Sequence, residues 1–393
     1  MYVTRPRSLF KRNPEALSQP PEGPNLGFLV LQDEEAESYC CFGCVKKGIS
    51  NLPFPQNRNL TVTFPVQGGG LATILFIDRV MFIPVLNQPL SSNLYYVIQR
   101  KGKRQGEASI CSKEEDLGSF LCCNYVLDVE PRPLNPGNEY QQFEIIKKPS
   151  AFRVRSVAKS VASDGFPPLF LRRPGWTLCT RTPHHYHLSE ALGVNHALRA
   201  KLPPFTFSSS SSDRCSEPVV VRKWYCPFMF VKEEGMNVKE QMKRSVFYEM
   251  TLERRWDKVF SKKNEENSIE VFVNVVVKTE VAGLGDGREA VLEEGKFDEV
   301  YVLWFKSEEN GERKVGLSMA TVERMIWEEE RSEWVGRNDK RIERVENFDG
   351  KSNEWENFEF YVMVESFVLR RMDGSVVLTY DFRHTNHVHC KWN

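Results

Sequence analysis

Glu359-Phe-Tyr-Val-Met-Val-Glu-Ser-Phe-Val-Leu369, Met372-Asp-Gly374 and Ser375-Val-Val-Leu-Thr-Tyr-Asp-Phe382 together read as one β-hairpin. Both arms are rich in β-branched and aromatic side chains, and an Asp-Gly pair between such runs is a strong short-range turn signal. The same pattern recurs towards the N-terminus. Tyr95-Tyr-Val-Ile98 and Ala108-Ser-Ile110 flank the polar, glycine-bearing Lys101-Gly-Lys-Arg-Gln-Gly106, which suits another hairpin.

Further extended runs are Gly27–Gln32, Leu60–Pro65, Thr73–Val85 and Tyr125–Val129, then Val219–Trp224, Phe228–Val231, Ile269–Val277 and Glu299–Phe305. Two helices are expected among them. Asn237 with Glu240 forms a capping-box start, and Val238, Met242, Val246, Phe247, Met250, Trp256, Val259 and Phe260 keep a helical stripe, which predicts a long amphipathic helix over 238–260. A second helix is expected over Met319–Trp334. The expected class is therefore α+β and β-rich, with two lobes built on antiparallel sheets and the long helix in the second.

A chain of 393 residues exceeds the size at which one core keeps growing. The unbroken serine run Ser208–Ser212, flanked by Pro203-Pro204 and Pro218, marks the boundary, because nothing in it fills a core. This gives an N-terminal β-rich lobe over 1–206, a Ser-rich linker over 207–217 and a C-terminal α+β lobe over 218–393.

Lys and Arg balance Asp and Glu at 53 each, which removes net charge as an argument for nucleic acid or an anionic membrane. The N-terminal arginines and lysine, Arg5, Arg7, Lys11 and Arg12, are followed by no apolar stretch, so no signal peptide is expected. Leu71–Leu86 is interrupted by Asp78, Arg79 and Pro84 and is too short for a membrane helix. Ten cysteines then read as reduced thiols, with the cytosol or nucleus as the expected compartment.

Charge collects locally. Residues 145–207 hold ten Lys or Arg against Asp164 and Glu190 alone, interleaved with Phe152, Phe166, Phe170, Trp176 and Tyr186. Cations beside aromatic faces suit a phosphate or a single-stranded nucleic acid, so Arg153, Arg155, Lys159, Arg172, Arg173 and Arg181 are the candidate anion-binding residues. The competing reading pairs these cations with the acids in excess after residue 200, or leaves them as solvated surface.

Other constellations carry less. Asp381, His384, His387, His389 and Cys390 crowd the C-terminus but lack zinc-finger spacing, and an exposed polar tail accounts for them. Cys41-Phe-Gly-Cys44 is half of a zinc-ribbon pattern without its second half. Gly283-Leu-Gly-Asp-Gly287 has the wrong glycine spacing for a dinucleotide turn and reads as a hairpin loop. His184-His185-Tyr-His187 with Ser189 lacks a partner carboxylate at a recognisable spacing. No cofactor or metal is expected.

Several phrases carry a resemblance. Leu52-Pro-Phe-Pro-Gln-Asn57, Phe82-Ile-Pro-Val-Leu-Asn-Gln-Pro-Leu-Ser-Ser92, Cys111-Ser-Lys-Glu-Glu-Asp116, Val161-Ala-Ser-Asp-Gly-Phe-Pro-Pro168, Trp224-Tyr-Cys-Pro-Phe-Met-Phe-Val231, Phe247-Tyr-Glu-Met-Thr-Leu252, Val322-Glu-Arg-Met325 and Phe367-Val-Leu-Arg-Arg-Met-Asp-Gly-Ser375 resemble a plant-restricted family, domain of unknown function 1262. The resemblance implies a plant origin and assigns no activity, cofactor or catalytic residue. The expected function is a non-enzymatic binding or scaffold protein with a protein partner or an anionic ligand. The alternatives are anion binding through 145–207 and an enzyme of unrecognised type.

Overall fold

A computed structural model describes residues 1–36, 39–40, 45–46, 48–67, 73–120, 123–159, 165–193, 195–207, 214–265, 268–297, 300–307, 314–336, 338–350 and 355–393. The protein is β-rich, with 48% strand and 16% helix in several antiparallel sheets. It divides into two compact units. The first comprises Met1–Ala191, Tyr225–Phe247 and Lys296–Val302, and the second Leu192–Trp224, Tyr248–Gly295 and Leu303–Asn393. Most of the Ser-rich stretch falls outside the described residues.

The first unit is organised by a six-stranded antiparallel sheet. Its order is Phe152–Ser156, Gln142–Lys147, Leu94–Gln99, Thr73–Pro84, Asn59–Gln67 and Thr177–Arg181. The two edges meet at one end, where the Phe152 amide donates to the Trp176 carbonyl at 3.1 Å. That contact curls the sheet towards a barrel, which shields edge groups that would otherwise stay unpaired. Alternate side chains turn inward as the pleat requires: Leu60, Val62 and Phe64 on one strand, Val80 and Phe82 on the next, then Tyr95 and Val97. Phe54 enters this core from the loop before the sheet, with its ring 4.9 Å from Phe82, 5.4 Å from Tyr95 and 5.0 Å from Phe152.

Beside the sheet, strand Tyr2–Pro6 lies parallel to Gly27–Leu31, with Tyr2 opposite Gly27 and Pro6 opposite Leu31. Helix Arg7–Arg12 follows directly. Proline at position 6 cannot be held in the interior of a helix but is compatible with its start, and Lys11 and Arg12 in the last turn complement the helix dipole.

In the second unit, three long antiparallel strands carry the core: Phe247–Lys263, Asn357–Arg371 and Val376–Trp392. The hairpin expected from Met372-Asp-Gly374 is present, with Gly374 in the left-handed region at φ 86° and the Arg371 amide donating to Ser375. Strand Glu280–Leu284 pairs with Val376–Trp392, and the Gly283–Gly287 segment turns the chain into strand Glu289–Phe297. A separate two-stranded ribbon, Glu270–Val277 with Lys340–Asn347, places Val271 and Val273 against Phe358, Phe360, Val362 and Val364.

The long helix expected over 238–260 is not formed. A seven-residue helix, Val238–Arg244, starts on the expected capping box and stops at Ser245, whose backbone is extended. The rest belongs to the 17-residue strand Phe247–Lys263. Met250, Leu252, Arg254 and Trp256 are buried, and so are Thr251 and Glu253 on the opposite face. A strand covered on both faces loses its period of two, and its apolar positions then imitate a helical stripe. Fifteen register partners along Asn357–Arg371 settle the competition in favour of the sheet. The second helix forms as Met319–Glu330.

The exposed C-terminal tail is also corrected. The chain runs in strand to Trp392, whose ring lies 5.0 Å from Trp355 and 4.4 Å from Phe358. A register shift between Val362 and Met363 sets His384 opposite Met363, where it is buried.

Candidate anion-binding site

The six basic residues expected to bind an anion are spread over separate elements of the first unit. Arg153 and Arg155 alternate with buried residues on the exposed face of one edge strand of the six-stranded sheet. Arg181 ends the strand at the other edge. Lys159 is exposed on the connection after Phe152–Ser156. Arg172 and Arg173 are half-buried at the short helix Leu169–Arg172. Several already have partners. Arg155 pairs with Glu144, Arg172 lies 3.6 Å from Asp128, and Arg173 stands over the Phe64 ring at 5.3 Å.

A different set of cations converges. Arg7, Lys11 and Lys147 line a cleft of about 520 Å³ with Phe10, Leu17, Ala36, Gly48 and the loop Ser50-Asn-Leu-Pro53. Helix geometry explains half of it, since Arg7, Phe10 and Lys11 are spaced i, i+3, i+4 and therefore share one face. Lys147 arrives from the end of strand Gln142–Lys147, opposite Phe152 and thus on the face of the sheet that faces the core. The loop wall depends on Gly48. Its amide neighbour Ile49 donates to the Leu178 carbonyl at 3.2 Å, and a Cβ at Gly48 would sit 2.4 Å from that same oxygen.

Asn51 is the pivot of the charged side. The Arg7 guanidinium donates to the Asn51 carbonyl at 2.7 Å and to Gln32 Oε1 at 2.7 Å, and Lys147 donates to Asn51 Oδ1. Lys11 donates to the Glu35 carbonyl at 3.1 Å. These acceptors are neutral oxygens, so they orient the cations without cancelling them. Burial lowers the Arg7 pKa from its usual value, opposed by Tyr95 and Asp33, and a guanidinium remains charged at any physiological pH. No carboxylate lines the cleft among the described residues. A second cleft in the same unit differs on this point, because there Arg104 is paired with Glu130.

In the sequence, Arg7 and Lys11 stand out only as part of a basic N-terminus and Lys147 only as part of the basic segment. The available signal was the i, i+3, i+4 spacing of Arg7, Phe10 and Lys11. Their meeting with Lys147, 136 to 140 positions later, is a product of the fold.

The second unit holds a denser group of charges, with side chains at most 8% exposed. Glu365 accepts from Arg199 through both oxygens and lies 3.0 Å from Arg254; Glu329 accepts from Arg199 at 3.1 Å. Glu328 pairs with Arg222 and Arg324, and His384 Nε2 sits 3.1 Å from Glu329 and 3.7 Å from Glu365. Burial works to raise the Glu365 carboxyl, but the Arg199 guanidinium overrides it and holds the group at about 2. Burial, together with neighbouring Glu365, raises Glu329, and burial pushes His384 down to about 4.

Ligand atoms of Glu329, Glu365 and His384 lie within 4.8 Å of one another, a spacing that admits a metal ion. The Arg199 guanidinium bridges both carboxylates, however, and takes the place a cation would fill. Arg199, from the basic segment, thus meets acids that follow residue 200, whereas Arg155 and Arg172 pair with Glu144 and Asp128, which precede it. Other constellations resolve simply. The Ser189 hydroxyl meets the Tyr225 phenol at 3.0 Å, burial pushes the Cys111 thiol up to about 12, and Cys41–Cys44 lies outside the described residues.

Among the described residues no helix is long and apolar enough to cross a membrane. No curated protein matches the chain. Among solved structures, the chain is similar to one titled "Crystal structure of Cry35Ab1", at 11% identity and a TM-score of 0.47, over 86% of this chain and 90% of that one. A family model described as "Protein of unknown function (DUF1262)" matches residues 22–124, a stretch that includes the cleft loop Ser50–Pro53.

Proposed function

We propose that this is a binding protein whose cleft at Arg7, Lys11 and Lys147 takes an anionic ligand. The observation that carries the reading is the convergence of three cations on one cleft whose described lining contains no carboxylate. Asp33 partly offsets Arg7, and charge left without a carboxylate in the described lining of a concave, partly apolar site is what a ligand of opposite sign completes. The described lining offers charge and apolar surface, with no imidazole, thiol or carboxyl among its described residues, which supports recognition as the role. A plant origin and a cytosolic or nuclear setting accompany this reading. They are supported by the resembling motifs and by the thiols of Cys111, Cys179, Cys215 and Cys390, which are in no disulfide among the described residues and suit a reducing compartment.

The test is a salt-titrated binding screen of the full chain against inorganic phosphate, nucleotides and short oligonucleotides. Reversing Lys11 and Lys147 to Glu is expected to lower affinity at least tenfold, with binding that weakens as salt rises. Reversing Arg172 and Arg173, or Arg153 and Arg155, should leave affinity within about twofold. The opposite ranking moves the site to the 153–181 surface and ends the cleft reading.

A further inference from the structure

The cleft is charged on one side only. Phe10, Leu17, Ala36, Leu52 and Pro53 form an apolar floor beside the three cations. Phe10, Ala36 and Pro53 are buried, whereas Leu17 and Leu52 are half-buried and present apolar surface to the opening. Inorganic phosphate or a sugar phosphate would satisfy the cations and leave that floor against water. An apolar molecule would cover the floor and desolvate the cations without pairing them, which is costly.

Resting on the anion-binding reading, we infer that the ligand is an amphiphilic anion: a single carboxylate or phosphate head held by Lys11, Lys147 and Arg7, with a hydrocarbon arm laid over Leu17, Leu52 and Phe10. The volume agrees with this class. About 520 Å³ is in the range of sites for small organic molecules, several times what a bare phosphate needs. Arg7 is fixed by Gln32 and Asn51, so it presents a preorganised donor, and Lys147 is oriented by Asn51 and Lys11 by the Glu35 carbonyl. Burying each methylene on the floor strengthens binding about fourfold until the floor is covered.

The experiment compares inorganic phosphate, ethyl, butyl, hexyl and octyl phosphate, octanoate and octanol by calorimetry on the full-length protein, with each probe below its micelle concentration. Affinity is expected to rise along the alkyl phosphates and then level off, with octyl phosphate at least about thirtyfold tighter than inorganic phosphate and octanol weak. Octanoate against octyl phosphate separates a carboxylate head from a phosphate one. Leu17→Asn should cost octyl phosphate about tenfold and leave inorganic phosphate unchanged, and Lys147→Glu should weaken both. Equal affinity for phosphate and octyl phosphate overturns the amphiphile while leaving the anion site standing. Octanol binding as tightly as octyl phosphate, or no binding by any probe, overturns the anion reading itself.

Discussion

Cations collect in two places, and the two solve the same electrostatic problem differently. In the second unit, Arg199, Arg222, Arg254 and Arg324 are sunk among Glu328, Glu329 and Glu365, each carboxylate held by at least one guanidinium. In the first unit, Arg7, Lys11 and Lys147 face an open cleft and donate to amide and carbonyl oxygens. Taking a charge out of water costs several kcal/mol, so the buried cations need carboxylates, whereas Lys11 and Lys147 remain exposed and need only orientation, and half-buried Arg7 lies between the two cases with Asp33 nearby. Compensation inside the fold marks architecture, and compensation left to solvent is the ground on which the ligand site is proposed. Removing a partner should therefore cost stability in one place and affinity in the other.

The largest effect belongs to Glu365. Its carboxylate joins Arg199 from the segment before the Ser-rich stretch, Arg254 from the neighbouring strand, and the His384 ring across the next. Glu365→Ala leaves two buried guanidinium groups short of a counter-charge, a loss worth about 3–5 kcal/mol. Denaturant unfolding of this variant and of Lys147→Glu makes the comparison direct. The cleft variant should stay within about 0.5 kcal/mol of the parent. Similar losses in both variants would erase the distinction.

His384 gives the next largest effect, through pH. Burial holds its folded pKa at about 4, with Arg199, His387 and Arg254 adding to the depression and Glu365 opposing it. In the unfolded chain the ring titrates near 6.5, so on acidification the unfolded state takes up the proton first. The stability this group contributes is complete above pH ~6.5 and is lost progressively as the pH falls through ~4, a span on the order of 3 kcal/mol. Glu365, depressed to about 2, adds a second loss of the same sign below about pH 4.5. His384→Asn should flatten the stability curve between pH 6.5 and 4 relative to the parent. An unchanged slope in that window would show that the ring is not held neutral by its surroundings.

How much of this was written in the chain depends on the range of the interaction. Local chemistry was legible: the Met372-Asp-Gly374 turn and the Asn237/Glu240 capping box form where expected, and the helix expected over Met319–Trp334 forms as the shorter Met319–Glu330. Strand Phe247–Lys263 was not, because burial on both faces removes the alternation that distinguishes a strand. The cleft and the buried cluster were illegible for a related reason. Arg7 meets the Lys147 wall through a loop at Asn51, and Arg199 meets Glu365 across 166 positions, so neither grouping leaves a spacing to read. His384 turns inward because of one register shift, and nothing in His384–Cys390 announces it.

The smallest effect tests the middle of the comparison. Arg155 and Glu144 form an ion pair on neighbouring strands, with side chains 59% and 29% exposed, so this cation is paired yet still wet. Water screens the attraction, and holding two long side chains in one geometry costs rotamer freedom, so exposed pairs contribute about 0.2–1 kcal/mol. Arg155→Ala should lower stability by no more than about 0.5 kcal/mol and leave ligand affinity unmoved, whereas the same exchange at Arg199 is expected to cost several times more. A loss above about 1.5 kcal/mol at Arg155 would mean that pairing itself, rather than burial, sets the energetic weight of a cation here. The division between architecture and ligand site would then have to be drawn by partner count instead of by solvent access.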